Sequence, residues 1–209
     1  SRYEALKKAV KDNLSGRLQS VKNELSFALD REMDASKLVD LAAEDRIPMR
    51  VTHNDTKINN VLFDSITNEA ICVIDLDTIM PGLSLYDFGD SIRSGAVTSD
   101  ENEQDLDKYG LDIALFKSYT EGFLSEAGHA LNDEEIANLA FSAKLMTLEC
   151  GVRFLTDYLN GDTYFKTDYP EHNLVRCRTQ FKLVEDIEKH LDEMNACVDE
   201  IYRRSLIEG

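Results

Sequence analysis

T-H-N-D-T-K-I-N-N-V-L-F-D, residues 52 to 64, and A-I-C-V-I-D-L-D, residues 70 to 77, interrupt a chain that otherwise reads as helix. M-R-V-T (49 to 52) leads into the polar stretch, and both V-L-F-D and A-I-C-V-I are rich in Val, Ile and Phe. Asp64, Ser65 and Asn68 stand between them as turn residues stand in a hairpin. This predicts a small β element with the polar residues on its rim, left through a loop at P-G-L-S, 81 to 84.

Outward from there the period becomes helical. Residues 2–13 and 16–31 predict helices separated at Ser15-Gly16, the second carrying Leu18, Val21, Leu25 and Leu29 at steps of three and four. Residues 34–45 predict a shorter helix, with Asp34 or Ser36 as N-cap, ended by Pro48. Beyond 85 helices run almost to the end. Residues 111–127 place Leu115, Phe116, Tyr119 and Phe123 on one side. Asn132 and Glu135 have the form of a capping box opening a long helix to about 159, apolar on more than one side and therefore central. Gly161 and D-T-Y-F-K-T-D-Y-P form a loop before a last helix over 174–206. The expected fold class is mainly α (α+β), a helical body holding one β-hairpin element.

Composition narrows the partners. The chain has 209 residues, 43% of them hydrophobic, with 40 Asp and Glu against 23 Lys and Arg, for a formal net charge of -17. Such a surface repels nucleic acid and anionic membrane, and a nucleotide would need a cation and a locally basic pocket. Cys72, Cys150, Cys177 and Cys197 are scattered through apolar runs, which predicts buried free thiols rather than a zinc site. Scattered thiols suit a reducing compartment, and neither a signal peptide nor a transmembrane run is present, so a cytoplasmic protein is expected. The chain opens directly on a helical pattern without Met, as a fragment of a longer protein would.

The polar stretch carries the chemistry. His53, Asp55 and Asn60 fit the H-x-D-x-x-x-x-N spacing of a kinase catalytic loop. There the aspartate accepts a hydroxyl proton, and the asparagine, one short loop later, reaches the same magnesium–phosphate cluster. His53 reads as a structural hydrogen-bonder. An Asx-rich turn without chemistry would look similar, but Asp75 tells against it. It interrupts a strand expected to be buried, where an unpaired carboxylate is costly, and follows Asn60 by one hairpin's length. Magnesium takes oxygen ligands, commonly one or two carboxylates plus phosphates and water, so Asn60 and Asp75 are suitable ligands. Asp77 points the same way by strand alternation, as a second carboxylate or a solvated one. Lys57 is either a phosphate contact or a solvated surface lysine.

Asp87-Phe88-Gly89 spells the magnesium motif of protein kinases, yet it lies at the start of a predicted helix rather than at a strand end, and no A-P-E segment follows. Asp87 is expected to N-cap that helix or to accept backbone N–H groups from the catalytic loop. A protein kinase is excluded.

These blocks resemble the aminoglycoside phosphotransferase and choline kinase superfamily, and within it the N-acetylhexosamine 1-kinases. A-K-L-M-T-L-E-C-G-V-R-F-L-T-D-Y-L-N-G-D-T-Y-F (143 to 165) and H-N-L-V-R-C-R-T-Q (172 to 180) extend the likeness over residues 50 to 195. The resemblance implies ATP- and Mg2+-dependent transfer to the anomeric hydroxyl of N-acetylglucosamine or N-acetylgalactosamine. Asp55 would be the base, Asn60 and Asp75 the metal ligands, and Arg153, Tyr164 and Asp75 would contact the sugar. The residues themselves leave Arg153 open between a structural ion pair with Glu149 and a ligand for sugar hydroxyls, and Tyr164 between a hydrophobic plug and a sugar contact.

Neither a Gly-rich nucleotide-covering loop nor a strand like V-A-I-K is found among these residues. The expectation is therefore the C-terminal lobe of a protein-kinase-like fold, its N-terminal lobe absent and the chain inactive alone. Rival readings are a kinase of the same superfamily acting on choline, homoserine or an aminoglycoside, and a non-catalytic binding module.

Overall fold

The structure, a computed structural model, describes residues 1–208. Helix α1 (Arg2–Asp12) starts in a capping box between Ser1 and Glu4 and stops where Asn13 turns left-handed. The segment expected as one helix over 16–31 begins as a 3-10 turn (Leu18–Val21) and continues as α2 (Lys22–Leu29). Helix α3 (Lys37–Ala43) also follows a 3-10 turn, and neither Asp34 nor Ser36 caps it. Asp34 is instead engaged by Lys144 at 2.8 Å.

Four short strands follow. β1 (Arg50–Thr52) pairs antiparallel with β4 (Met80–Gly82), in the register Arg50↔Gly82, Val51↔Pro81 and Thr52↔Met80. Part of the expected 81–84 loop is thus a strand, Pro81 being tolerated because a two-stranded ladder consists of edges. β2 (Val61–Phe63) and β3 (Ala70–Val73) form the expected hairpin, with an irregularity between Leu62 and Phe63. Contrary to expectation β3 is exposed along its whole length, and Cys72 is an exposed thiol.

The rest is helical: α4 (Ser84–Gly95), α5 (Ile113–Ala127), α6 (Asp133–Ala137), α7 (Leu139–Asn160) and α8 (His172–Glu208). The Asn132–Glu135 capping box forms, but the helix it opens ends at once. Asn138 leaves helical geometry, its side-chain amide donating to the Glu134 carbonyl at 2.8 Å, and α7 begins afresh.

α7 is central, packing on α8, α4 and α1. Its first half puts Leu139, Ala143 and Leu145 into one apolar cluster with α4, α5 and α8. Its second half puts Leu148, Val152, Leu155 and Leu159 into another with α1 and α2. Phe88 is buried in the first cluster, edge-on to Phe116 with centroids 6.2 Å apart. Gly89 lets α4 lie on α7, since a Cβ there would meet the backbone carbonyl of Ser142. Phe88 and Gly89 of the D-F-G triplet are therefore packing residues. Among the described residues no helix is long and apolar enough to cross a membrane.

Candidate active site

The catalytic-loop stretch is fastened to α4 by hydrogen bonds. Asp87 lies in the first turn of α4, which Leu83 rather than Asp87 precedes as cap residue. Its carboxylate accepts the His53 N–H at 2.8 Å and the Asn54 N–H at 2.7 Å, one on each oxygen. The Asp87 carbonyl accepts the Thr56 hydroxyl at 2.6 Å. From the other side the Thr78 hydroxyl donates to the His53 carbonyl at 2.6 Å, and the Asn54 amide donates to the Thr78 carbonyl at 3.0 Å.

His53 Nδ1 accepts the Asp55 N–H at 3.3 Å, which leaves Nε2–H to donate to the Ile74 carbonyl at 3.2 Å. The imidazole thus ties the loop to the end of the hairpin. The Ile74 N–H closes the same link from the opposite direction, donating to the Asn60 carbonyl at 2.9 Å.

At the centre stands Asp55. Its Oδ2 accepts the Asn60 amide at 2.8 Å and the Lys57 ammonium at 2.9 Å. Lys57 is therefore a partner of Asp55, not a free surface lysine. Burial alone would raise the Asp55 pKa; the hydrogen bonds from Lys57 and Asn60 and the nearby positive charge outweigh it and hold the carboxyl below its ordinary value. An aspartate in that state is ionised at neutral pH and able to accept a proton.

Asp75 follows Ile74 directly and so stands beside the loop, but not as the buried strand residue expected. It is exposed and left-handed, with φ 61° and ψ 54°. A non-glycine residue in that region carries strain, least for Asp and Asn, and such strain gathers at functional sites. Asp77 follows in a 3-10 turn, so strand alternation does not relate it to Asp75. Neither carboxylate has a hydrogen bond or ion pair among the described residues, nor does the Asn60 amide oxygen. This hard-oxygen donor set fits magnesium. Among the described residues no group of three His, Cys, Asp or Glu could hold a metal by itself.

Asp55 opens onto a cavity of about 300 Å³ whose lining includes Arg2, Asp90, Arg93, Glu149 and Arg153. Arg93, largely buried, bonds Asp90 at 2.8 Å and Glu101 at 3.2 Å. Its signal in the sequence is an Asp and an Arg three apart on one helix face. Arg153 makes no ion pair with Glu149; its guanidinium lies 5.8 Å from the Tyr164 ring centroid and 5.2 Å from that of Phe165. Tyr164 does not line the Asp55 cavity. It borders a neighbouring one of about 220 Å³ that shares Arg2 and Arg153, and at 73% exposure it is not a hydrophobic plug.

Two further carboxylates hold this assembly. Glu135 is bonded by Arg50 at 2.7 Å through both oxygens and by Ser84 at 2.7 Å, joining β1, α4 and α6. Asp157 accepts the backbone N–H groups of Thr163, Tyr164 and Phe165 at 2.9–3.0 Å and the Asn173 amide at 2.8 Å, fixing the loop after α7.

A helical lobe whose Asp–Asn loop is pinned between a hairpin and a helix is that of a kinase-like phosphotransferase. The model of the phosphotransferase enzyme family, APH, matches residues 4–118, more than half of the sequence, and the chain belongs to that family. The match takes in Asp55, Asn60, Asp75 and Asp87 and ends before Arg153 and Tyr164. Phosphotransferases of this family generally use ATP and Mg2+.

Proposed function

We propose that the chain is the C-terminal, acceptor-binding lobe of an ATP- and Mg2+-dependent kinase that phosphorylates the anomeric hydroxyl of N-acetylhexosamines. The observation that carries the choice of acceptor is the charge of the Asp55 cavity. In a chain of net charge -17, this cavity sets Arg2, Arg93 and Arg153 against Asp55, Asp90 and Glu149. Choline or an aminoglycoside would call for an acidic or aromatic cage. Here the charges balance and, among the described residues, Tyr86 is the one aromatic lining the cavity, which favours a neutral polyhydroxy acceptor.

In this reading Asp55 takes the proton of the attacking hydroxyl, and Lys57 and Asn60 hold it ionised and in place. Asn60 and Asp75 would hold the metal, with Asp77 available as a second carboxylate; bound magnesium would offset the charge of the nucleotide phosphates. Arg153 supplies fixed donors to the acceptor, and Tyr164 and Asp75 are the further sugar contacts. His53 and Asp87 keep the loop rigid. Val51, Leu62, Phe63, Ile71, Val73, Leu76, Ile79 and Met80 expose apolar side chains on the two ladders and the turn between them. Apolar surface of that extent marks a covered face, here assigned to the nucleotide base and an N-terminal lobe.

The test is an acceptor screen on the protein expressed with its complete reading frame. ATP-Mg2+ is supplied with N-acetylglucosamine, N-acetylgalactosamine, choline, homoserine or an aminoglycoside, and products are read by phosphorus NMR. A sugar 1-phosphate is expected. Turnover confined to a cationic acceptor would refute the sugar reading, and no turnover with any acceptor would favour a binding module.

A further inference from the structure

Glu149 stands four residues before Arg153 on α7, a spacing at which Glu and Arg ordinarily pair. They do not pair here. Arg153 is drawn instead to the rings of Tyr164 and Phe165. The Glu149 carboxyl is left half-buried, lining the Asp55 cavity, with no hydrogen bond or ion pair among the described residues. Burial pushes its pKa up although Arg2 and Arg153 pull the other way, so the group is poorly solvated as well as unpartnered. Buried polar groups in folded proteins are almost always bonded, and one left open toward a cavity beside a reactive aspartate calls for a partner from outside the chain.

We propose that Glu149 is a specificity-determining residue of the acceptor site, its carboxyl receiving the hydroxyl or amide N–H donors of a neutral polyhydroxy acceptor whose reacting oxygen faces Asp55. The role rests on the sugar-kinase reading above. A cationic acceptor gains little here, because Arg2, Arg93 and Arg153 already match the three carboxylates of the cavity and leave no net negative charge to hold a further cation. Donors without net charge need none. They supply the missing bonds of Glu149 and leave Arg2 and Arg153 to acceptor oxygens.

The experiment is calorimetric titration of the chain and of Glu149→Gln with N-acetylglucosamine, its monodeoxy analogues and choline, alongside thermal unfolding at pH 7. Wild type should bind the sugar and lose about tenfold or more in affinity toward at least one deoxy analogue, the size of a hydrogen bond to a charged group. Glu149→Gln should bind the parent sugar about tenfold more weakly, no longer distinguish that analogue, and melt no lower than wild type, since the raised pKa marks the ionised carboxyl as a burden to the fold at neutral pH. Unchanged affinity and unchanged discrimination in the variant, with wild type binding sugar, would overturn the role of Glu149 and leave the sugar reading standing. A variant melting well below wild type would also overturn it, by showing a structural carboxylate. Binding of choline but no sugar by wild type would overturn the sugar reading and this role together, as would absence of any binding.

Discussion

Asn60 holds Asp55 at two points, its side-chain amide donating to the carboxylate at 2.8 Å and to the backbone carbonyl at 2.9 Å. The proposed metal ligand and the proposed base are thus one rigid unit, and a change at either is felt at both.

Asp55→Asn in the complete enzyme should lower kcat by roughly 10²–10⁴-fold, the range of general-base contributions, with acceptor affinity within a few-fold of wild type. Asn60→Ala should act differently. It removes a hydrogen bond that keeps the Asp55 pKa down, so the acidic limb of the pH–rate profile should move to higher pH. Steady-state kinetics across pH decide both; an Asp55→Asn enzyme keeping half its turnover would end the assignment.

Asp75 and Asp87 should separate cleanly. Asp87→Ala strips the partners from two backbone N–H groups and should cost about 2 kcal/mol or more, read as a lower melting temperature. Asp75→Ala removes an exposed carboxylate with no hydrogen bond or ion pair among the described residues, so the melting temperature should hold while magnesium-dependent turnover disappears. A shifted magnesium requirement in Asp87→Ala at unchanged melting temperature would reverse the two roles.

Glu135 gives the fold an acid-sensitive joint. Burial alone would raise its pKa, but hydrogen bonds from Arg50, Ser84 and the Asn132 N–H take it below the ordinary 4.5. With the folded value below the unfolded one, the stabilisation is complete above about pH 4.5 and is lost as pH falls through the folded value. Thermal unfolding from pH 7 to pH 3 should therefore show wild type losing stability faster below pH 4.5 than Glu135→Gln. At pH 7 the variant should be the weaker by about 1–2 kcal/mol, the size of a hydrogen bond to a charged group in a partly buried pair. Parallel curves would show that Glu135 carries no such linkage.

The helices, the hairpin and the Asp–Asn loop were legible because period and spacing are local properties of a sequence. Placing Asp87-Phe88-Gly89 at a helix start left two roles open for Asp87, capping that helix or accepting catalytic-loop N–H groups; Leu83 is the cap residue, and the Asp87 carboxylate lies on the His53 and Asn54 amides. What was not legible depends on partners distant in sequence. Asp34 looked like a cap because Lys144, 110 residues on, is invisible to a local pattern. β3 looked buried because its composition suits a covered strand, yet all four of its residues are exposed. Glu149 and Arg153 had the spacing of an ion pair, and only the position of two aromatic rings showed that Arg153 turns elsewhere.

Asp157→Ala should free the loop that carries Tyr164. Three backbone N–H groups and the Asn173 amide lose their acceptor at once, in a residue only 5% exposed. Hydrogen exchange at residues 163–165 should accelerate strongly while α7 stays protected. Exchange unchanged there would mean that the bridge from Arg17 to Asp162 holds the loop without it.

The chain alone should fold and yet transfer no phosphate. Folding is expected because both apolar clusters close within it: α7 supplies residues to each, and helices α1 to α6 and α8 supply most of the others. Transfer is not expected, because phosphoryl transfer depends on positioning and on neutralising phosphate charge, and the proposed site offers chiefly the metal side of that clamp. The net charge of -17 opposes a nucleotide further. The acceptor contacts proposed here, by contrast, all belong to this chain, so weak acceptor binding should survive. Circular dichroism and cooperative melting test the first statement, and titration with ATP-Mg2+ and with N-acetylglucosamine beside a sugar 1-phosphate assay tests the rest. Product formed by the 209 residues alone would mean that the nucleotide site is complete within them, and the lobe reading would have to be given up.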